Sequence, residues 1–209
     1  MIRRLARLLL IVLATVGVAA SVTAVWLVSQ GISARPEPGR LETAVARRLR
    51  AAAIPRTART LNSPVPASPE SLGEGLEHFA DHCAVCHAND GSGDTEMGRG
   101  LYPRPPDLRR PTTQLLTDGE LFYIIENGVR LTGMPAWGNG TPAGEQASWH
   151  LVHFLRRLPT VTPEEIARMQ ELNPKTALEF RDEEEARKFL AGENPPPKPV
   201  PAHKHGGRE

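Results

Sequence analysis

Both cysteines of this 209-residue chain fall in one run, Cys83-Ala84-Val85-Cys86-His87. No other feature constrains the fold as tightly. Two thiols one helical turn apart can each add to a haem vinyl group and form a thioether, and the histidine that follows directly is then held beneath the iron as proximal ligand. Two other chemistries use a Cys-x-x-Cys pair. A structural zinc site wants four ligands and usually a second Cys/His pair, and the sequence offers none. A thioredoxin-like redox pair belongs to a βαβ context, which is also missing. The motif points to one covalent haem c, attached through Cys83 and Cys86, with His87 on the iron.

The sixth ligand has to come from elsewhere in the chain, and Met97, Met134 and Met169 compete for it. Met134 lies 47 residues after His87, far enough for the chain to wrap around a porphyrin and return on its distal face. Gly133 before it allows close backbone approach, and Pro135 after it stiffens the loop. A thioether is a soft ligand that favours ferrous iron and raises the potential. Met97 is ten residues from His87, too close to pass the ring edge, and Met169 reads as part of a polar helix outside the core. His87 and Met134 are thus the expected iron ligands. His82, His150 and His153 read as packed or solvated helix residues.

Further residues surround the motif in a fixed order. Gly75 and Phe79 precede it. After it come Asn89-Asp90-Gly91-Ser92-Gly93-Asp94, the stretch Gly100 to Leu108, Gly133-Met134-Pro135-Ala136-Trp137-Gly138, and Trp149 to Leu155. This set resembles a class I c-type cytochrome, the superfamily of mitochondrial cytochrome c and its small bacterial relatives, over roughly Ser68 to Leu158. The resemblance implies an all-α cytochrome c fold with covalently bound haem. It implies that the first and last helices cross at right angles, with Gly75 allowing close approach beneath Phe79 and Phe154. It also implies that Pro103, Pro105 or Pro106 offers a carbonyl to the proximal histidine. Trp137 either covers the haem edge or simply closes its loop.

Local signals agree with an all-helical domain. Ser68 or Ser71 opens a helix that runs to the attachment motif. Thr117 and Glu120 form a capping box for a helix that stops at Gly128. Thr141 or Gly144 precedes a last core helix, Glu145 to Leu158, ended by Pro159. No alternating β-branched run supports a sheet.

Leu8 to Val28 is uncharged over 21 residues, long enough to span a hydrocarbon core of about 30 Å. Arg3, Arg4 and Arg7 flank it, and Trp26 sits where an interfacial aromatic would. A cleaved signal peptide has a shorter apolar region and a small-x-small cleavage site, so an uncleaved anchor is expected. Seven Arg between Arg35 and Arg59 leave the positive-inside rule ambiguous. The family resemblance, whose members are matured outside the cytoplasmic membrane, places the haem domain on the periplasmic side.

Leu41, Val45, Leu49 and Ala52 share one helical face while Arg40, Arg47 and Arg50 point elsewhere. Such a helix can lie on anionic headgroups, dock on a partner subunit, or serve as a spacer. Pro64, Pro66 and Pro69 then suggest an extended hinge from Leu61 to Pro69. Charge is uneven along the chain: +8 over residues 1–68, −5 over 69–160 and −2 over 161–209. Distinct partners for the two ends are implied. Thr162 to Glu165 starts a further helix, and the Pro-rich tail with His203 and His205 reads as disordered.

The resulting division is an anchor at 1–30, an Arg-rich helix and linker at 31–68, a haem c domain at 69–160, a polar helical extension at 161–190 and a tail at 191–209. The expected function is a membrane-anchored monohaem cytochrome c carrying single electrons, not an enzyme by itself, with redox proteins and no nucleic acid as partners. The alternative is a haem c subunit of a larger respiratory or dehydrogenase complex. A sensor or peroxidase-like protein with an open distal site is a third class.

Overall fold

The computed structural model describes residues 2–29, 31, 33–175 and 177–192. Most of the Pro/His tail, including His203 and His205, lies outside the described residues. Among those described, every regular element is helical: α1 (Ile2–Ser29), α2 (Arg40–Ala53), α3 (Arg56–Arg59), α4 (Pro69–His78), α5 (Ala84–His87), α6 (Glu96–Arg99), α7 (Pro111–Gln114), α8 (Asp118–Asn127), α9 (Pro142–Arg157), α10 (Pro163–Leu172) and α11 (Ala177–Leu190). A π-helical turn, Phe79–Cys83, joins α4 to α5, and a 3₁₀ turn, Leu158–Thr160, follows α9.

Helix α1 has 28 residues, about 42 Å at 1.5 Å per residue, and none of its apolar window is buried in protein. Its hydroxyls are satisfied within the helix. Ser21 donates to the Gly17 carbonyl at 2.9 Å, Thr23 to Ala19 at 2.9 Å and Ser29 to Trp26 at 2.7 Å. Internal satisfaction of polar groups is what a lipid-exposed helix requires.

The helix boundaries follow from side-chain capping. Ser68 caps α4 by accepting from Ser71 N at 3.1 Å, with Ser71 returning the bond to Ser68 N. Thr117 and Glu120 make the reciprocal pair at α8, and Thr162 with Glu165 does the same at α10. Of the two candidate caps for α9, Thr141 is the one used, so the helix begins at Pro142, three residues before Glu145. Gly128, at φ +65°, ends α8 in a conformation that favours glycine.

The core forms where α4 meets α9. Phe79 and Phe154 are each 1 % exposed, with ring centroids 5.3 Å apart. Phe122 stacks on Trp149 at 4.3 Å. A Cβ on Gly75 would stand 2.2 Å from the His150 carbonyl oxygen and 2.9 Å from Phe154 Cβ. The family expectation for this close approach is met. Gly75→Ala has to push two helix backbones apart, so a loss of about 2 kcal/mol or more is expected. Urea unfolding of the haem-loaded protein checks this, and an unchanged midpoint is incompatible with the packing described.

Two expectations need correction. Met169 is fully buried in the core cluster, not on a helix outside it, and Ile166 and Val161 pack alongside. Helix α10 therefore covers the π turn and α4 with a narrow apolar edge, although most of its residues are polar. The segment before the core is not a free extended hinge either. Ile54 and Ala58 are buried, and Ala58 and Leu61 press on Gly119, where a Cβ would meet the Ala58 carbonyl at 1.9 Å. The Val65 carbonyl lies 3.0 Å from His153 Nε2, and Ser71 Oγ donates to the Pro66 carbonyl at 2.9 Å. The linker is held by tertiary contacts that its proline content does not reveal.

Candidate functional site

The attachment residues sit on the turn that continues α4. Ala84 N–H bonds back to the Phe79 carbonyl, five residues earlier, which widens the helix by one residue just before Ala84. Insertions of this kind concentrate at functional positions. Helix α5 then carries Cys86 and His87 and ends at Ala88, whose φ of +60° turns the chain sharply away. Cys83 and Cys86 are not bonded to each other. Burial, with Cys86 adding to it, pushes the Cys83 thiol up to about 12, and burial raises Cys86 as well. Reactive Cys-x-x-Cys pairs show the opposite, a lowered thiol. Among the described residues no three His, Cys, Asp or Glu side chains converge as a cation site.

Burial holds the His87 imidazole below its usual pKa, opposed by the backbone carbonyl of Pro106. Nδ1 is shielded from solvent, and no acceptor meets it in strict hydrogen-bond geometry. Of the three prolines that the sequence left open, Pro106 is the one whose carbonyl acts on the His87 imidazole.

The stretch that brings Pro106 to His87 is held by charge. Arg109 donates to both Asp107 oxygens, at 2.8 and 3.0 Å, and to Asp90 at 2.9 Å, while Arg110 adds a contact to Asp107 at 3.1 Å. Leu108 N donates to the Gly91 carbonyl at 2.8 Å, and Gly93 N to the His87 carbonyl at 2.8 Å. Sequence reasoning passed over this Asp90–Arg109–Asp107 cluster. The Asp-x-Arg spacing at 107 and 109 was visible, but its partner is 19 residues away.

Arg109 and its hydrogen bonds hold the Asp107 carboxyl down at about 2. A depressed carboxylate stabilises the fold above its unfolded pKa, and that stabilisation is lost as pH falls through the folded value. Arg109→Ala should therefore cost on the order of 1 kcal/mol at pH 7, given a partly exposed pair. The gap from wild type should close between about pH 4 and pH 2. Urea midpoints at those pH values test it, and a gap that stays constant with pH would remove Asp107 as its source.

Met134 lies in the loop between α8 and α9 and is half-buried. Val129 N donates to the Met134 carbonyl at 3.1 Å, and Met134 N to Thr132 Oγ1 at 3.1 Å. After the methionine the loop is fastened to the end of α8, Trp137 N to the Ile125 carbonyl and Gly138 N to the Glu126 carbonyl, both at 3.0 Å. Trp137 meets His82 edge to face at 5.0 Å, so the loop touches the residue just before Cys83. A Cβ on Gly133 would stand 2.7 Å from Leu101. One continuous stretch, 101–106, thus runs from the Met134 loop to His87. Met97 is 55 % exposed on the short helix α6, and Met169 is sealed in the core. His153 is tied to Val65 and Ser63, a packed helix residue as expected. The ring contact of His82 with Trp137 was not legible in the sequence.

This donor set fits haem c: two free thiols one turn apart, a half-buried imidazole beside them, and a thioether on a loop joined to the same turn.

Comparison with known proteins agrees. Residues 70–155 match the family model "Cytochrome C oxidase, cbb3-type, subunit III". The chain is 33 % identical over 89 residues to the Cbb3-type cytochrome c oxidase subunit FixP of Azorhizobium caulinodans, covering 38 % of this chain and 25 % of that protein. It is 36 % identical over 73 residues to the FixP subunit of Sinorhizobium medicae, covering 34 % of this chain and 23 % of the relative. The chain thus spans about a quarter of the length of the relatives it matches, and the matched part is the segment built above. Residues 70–155 form a class I c-type cytochrome domain, carried in an all-helical chain behind a membrane-length N-terminal helix.

Proposed function

We propose that this chain is a membrane-anchored monohaem cytochrome c that passes single electrons on the outer face of the cytoplasmic membrane. The observation that carries this reading is the joining of the Met134 loop to the attachment turn through Trp137 and His82, with 101–106 linking both to His87. In it, Cys83 and Cys86 would hold the haem covalently, and His87 and Met134 would ligate its iron. When bound, the haem supplies one iron that cycles between ferrous and ferric. Cys83 and Cys86 fix its place on α5, and the Asp107–Arg109 clamp holds the 105–108 stretch against His87. The hydrogen-bonded loop at 129–138 keeps the Met134 sulfur from drifting. With His87 and Met134 both committed to the iron, little ligand exchange would accompany transfer and no open site would be left for a substrate.

The division of the chain follows from the same reading: anchor at 1–30, Arg-rich helix and linker at 31–68, haem domain at 69–160, helical extension at 161–190 and tail at 191–209. The anchor is retained rather than cleaved.

A second reading, in which the chain is a haem c subunit of a respiratory oxidase complex, is favoured by one observation: both relatives named above are themselves oxidase subunits. Purification in mild detergent separates the two. Stoichiometric co-purification of haem-copper oxidase chains supports the subunit. A monodisperse single chain that is reduced and reoxidised by soluble redox proteins supports the carrier. A high-spin ferric spectrum in the isolated protein would overturn both, because it would mean an open distal site.

A further inference from the structure

Helix α2 is docked on the haem domain by its polar side. Thr43 and Arg50 are its partly buried members, and Arg50 Nε is shielded from solvent. Glu42 accepts from the Tyr102 hydroxyl, and the segment just before the helix is tied by Arg104 to Glu37 at 3.3 Å. At its other end Arg59 donates to the Ala51 carbonyl, and Ile54 enters the core. At 100° per residue, Thr43 and Arg50 lie about opposite to Leu41, Val45, Leu49 and Ala52. Those four residues form the apolar stripe, and it points away from the domain: Leu41 is 79 % exposed, Val45 47 % and Leu49 65 %. An amphipathic helix normally buries its apolar face against its own domain. Here the orientation is inverted, so the stripe is free for an external apolar phase.

The position of α2 and its charge identify that phase. Helix α1 ends at Ser29 and α2 begins at Arg40, so the ten residues between them can separate the helix from the bilayer by no more than about 35 Å. Arg40, Arg47 and Arg48 are exposed; at 100° per residue Arg48 borders the stripe, while Arg40 and Arg47 stand well round toward the polar side. The lone acid of the helix, Glu42, lies on the other flank and is engaged by Tyr102. An exposed apolar stripe on a helix with a net excess of exposed Arg, tethered this close to a membrane-length helix, matches an interface of anionic headgroups over acyl chains.

We propose that α2 lies in the outer surface of the membrane, with Leu41, Val45 and Leu49 among the acyl chains and Arg48 beside anionic lipid phosphates, the other exposed arginines of the helix adding to the attraction. Its contact with Tyr102, and that of the preceding Glu37 with Arg104, then set the height and tilt of the haem domain over the bilayer. The acidic domain itself, at −5 over residues 69–160, would otherwise be repelled by such a surface.

The inference rests on α1 crossing the bilayer, and the test separates the two. Full-length, haem-loaded protein is placed in nanodiscs of phosphatidylcholine with phosphatidylglycerol, or of phosphatidylcholine alone. A spin label is attached at Val18→Cys, Val45→Cys or Arg47→Cys in turn, with wild type as a control for labelling of Cys83 and Cys86. Variants are used only if the haem spectrum is unchanged. Collision with oxygen and with a water-soluble nickel chelate reports lipid against aqueous exposure. The expected result is a lipid signature at 18 and 45, an aqueous one at 47, and loss of the signature at 45 in discs without phosphatidylglycerol or after Arg40, Arg47 and Arg48 are all changed to Gln. An aqueous signature at 45 with a lipid signature at 18 overturns the proposal and leaves the anchor standing. An aqueous signature at 18 overturns the anchor. A label at 45 shielded from both agents indicates protein cover, and lipid exposure indifferent to headgroup charge removes the anionic surface; either overturns the proposal.

Discussion

Replacing Met134 with alanine should open the sixth coordination position of the haem-loaded protein. The far-red band of a methionine–iron bond should vanish from the ferric spectrum, and the iron should become high-spin or take up water or an added small ligand. Loss of the thioether should also lower the potential, by roughly a quarter of the ~0.8 V range that axial ligation spans. The backbone bonds of the loop use the Met134 carbonyl and amide rather than its side chain, so the fold should survive the change. Met97→Ala should leave spectrum and potential unchanged, because that side chain is more than half exposed on α6. Potentiometric titration of the two variants beside wild type decides the matter. A normal potential in Met134→Ala, with a lowered one in Met97→Ala, would reverse the ligand assignment.

The attachment turn offers an effect of comparable size. Cys83 and Cys86 have no partner in each other and no other cysteine to pair with. In the haem-loaded protein both sulfurs should be thioethers. The haem should stay with the protein in acidified organic solvent, and neither sulfur should take up a thiol reagent. Cys83→Ala should leave at most one thioether, seen as a red-shifted ferrous pyridine spectrum and a sharp drop in holoprotein. His87→Ala should remove the proximal ligand and with it the low-spin spectrum. Complete extraction of haem from the wild type would sink covalent attachment. Intact low-spin ligation in His87→Ala would sink the axial role.

What could be read directly from the residues was local. A thioether pair needs its sulfurs three positions apart, and a capping box needs its partners three apart. Thr117 and Thr162 were therefore visible as helix starts and Gly128 as a stop before any packing was known, while Ser68 and Thr141 were each one of two candidates. The long uncharged run and the apolar period of 40–53 are likewise properties of neighbouring residues, and both became helices. The pairing of Phe79 with Phe154 and the close contact at Gly75 came from family resemblance, not from periodicity.

Tertiary structure alone decided how these pieces meet. Helix α10 has so few apolar residues that its pattern reads as solvent-exposed, yet Ile166 and Met169, one turn apart, are enough to seal it onto the π turn. The proline-rich linker looked free because its packing is made by Ala58 against Gly119 and by backbone carbonyls, groups with no signature in composition. The Asp90–Arg109–Asp107 clamp and the His82–Trp137 contact join residues 19 and 55 positions apart. The outward turn of the α2 stripe is the clearest case. The sequence by itself determined that α2 has an apolar face, since that depends only on spacing along one helix. Which way the face points depended on Glu42 finding a partner in Tyr102 and on Arg50 and Ile54 being covered, none of which spacing along the helix reveals.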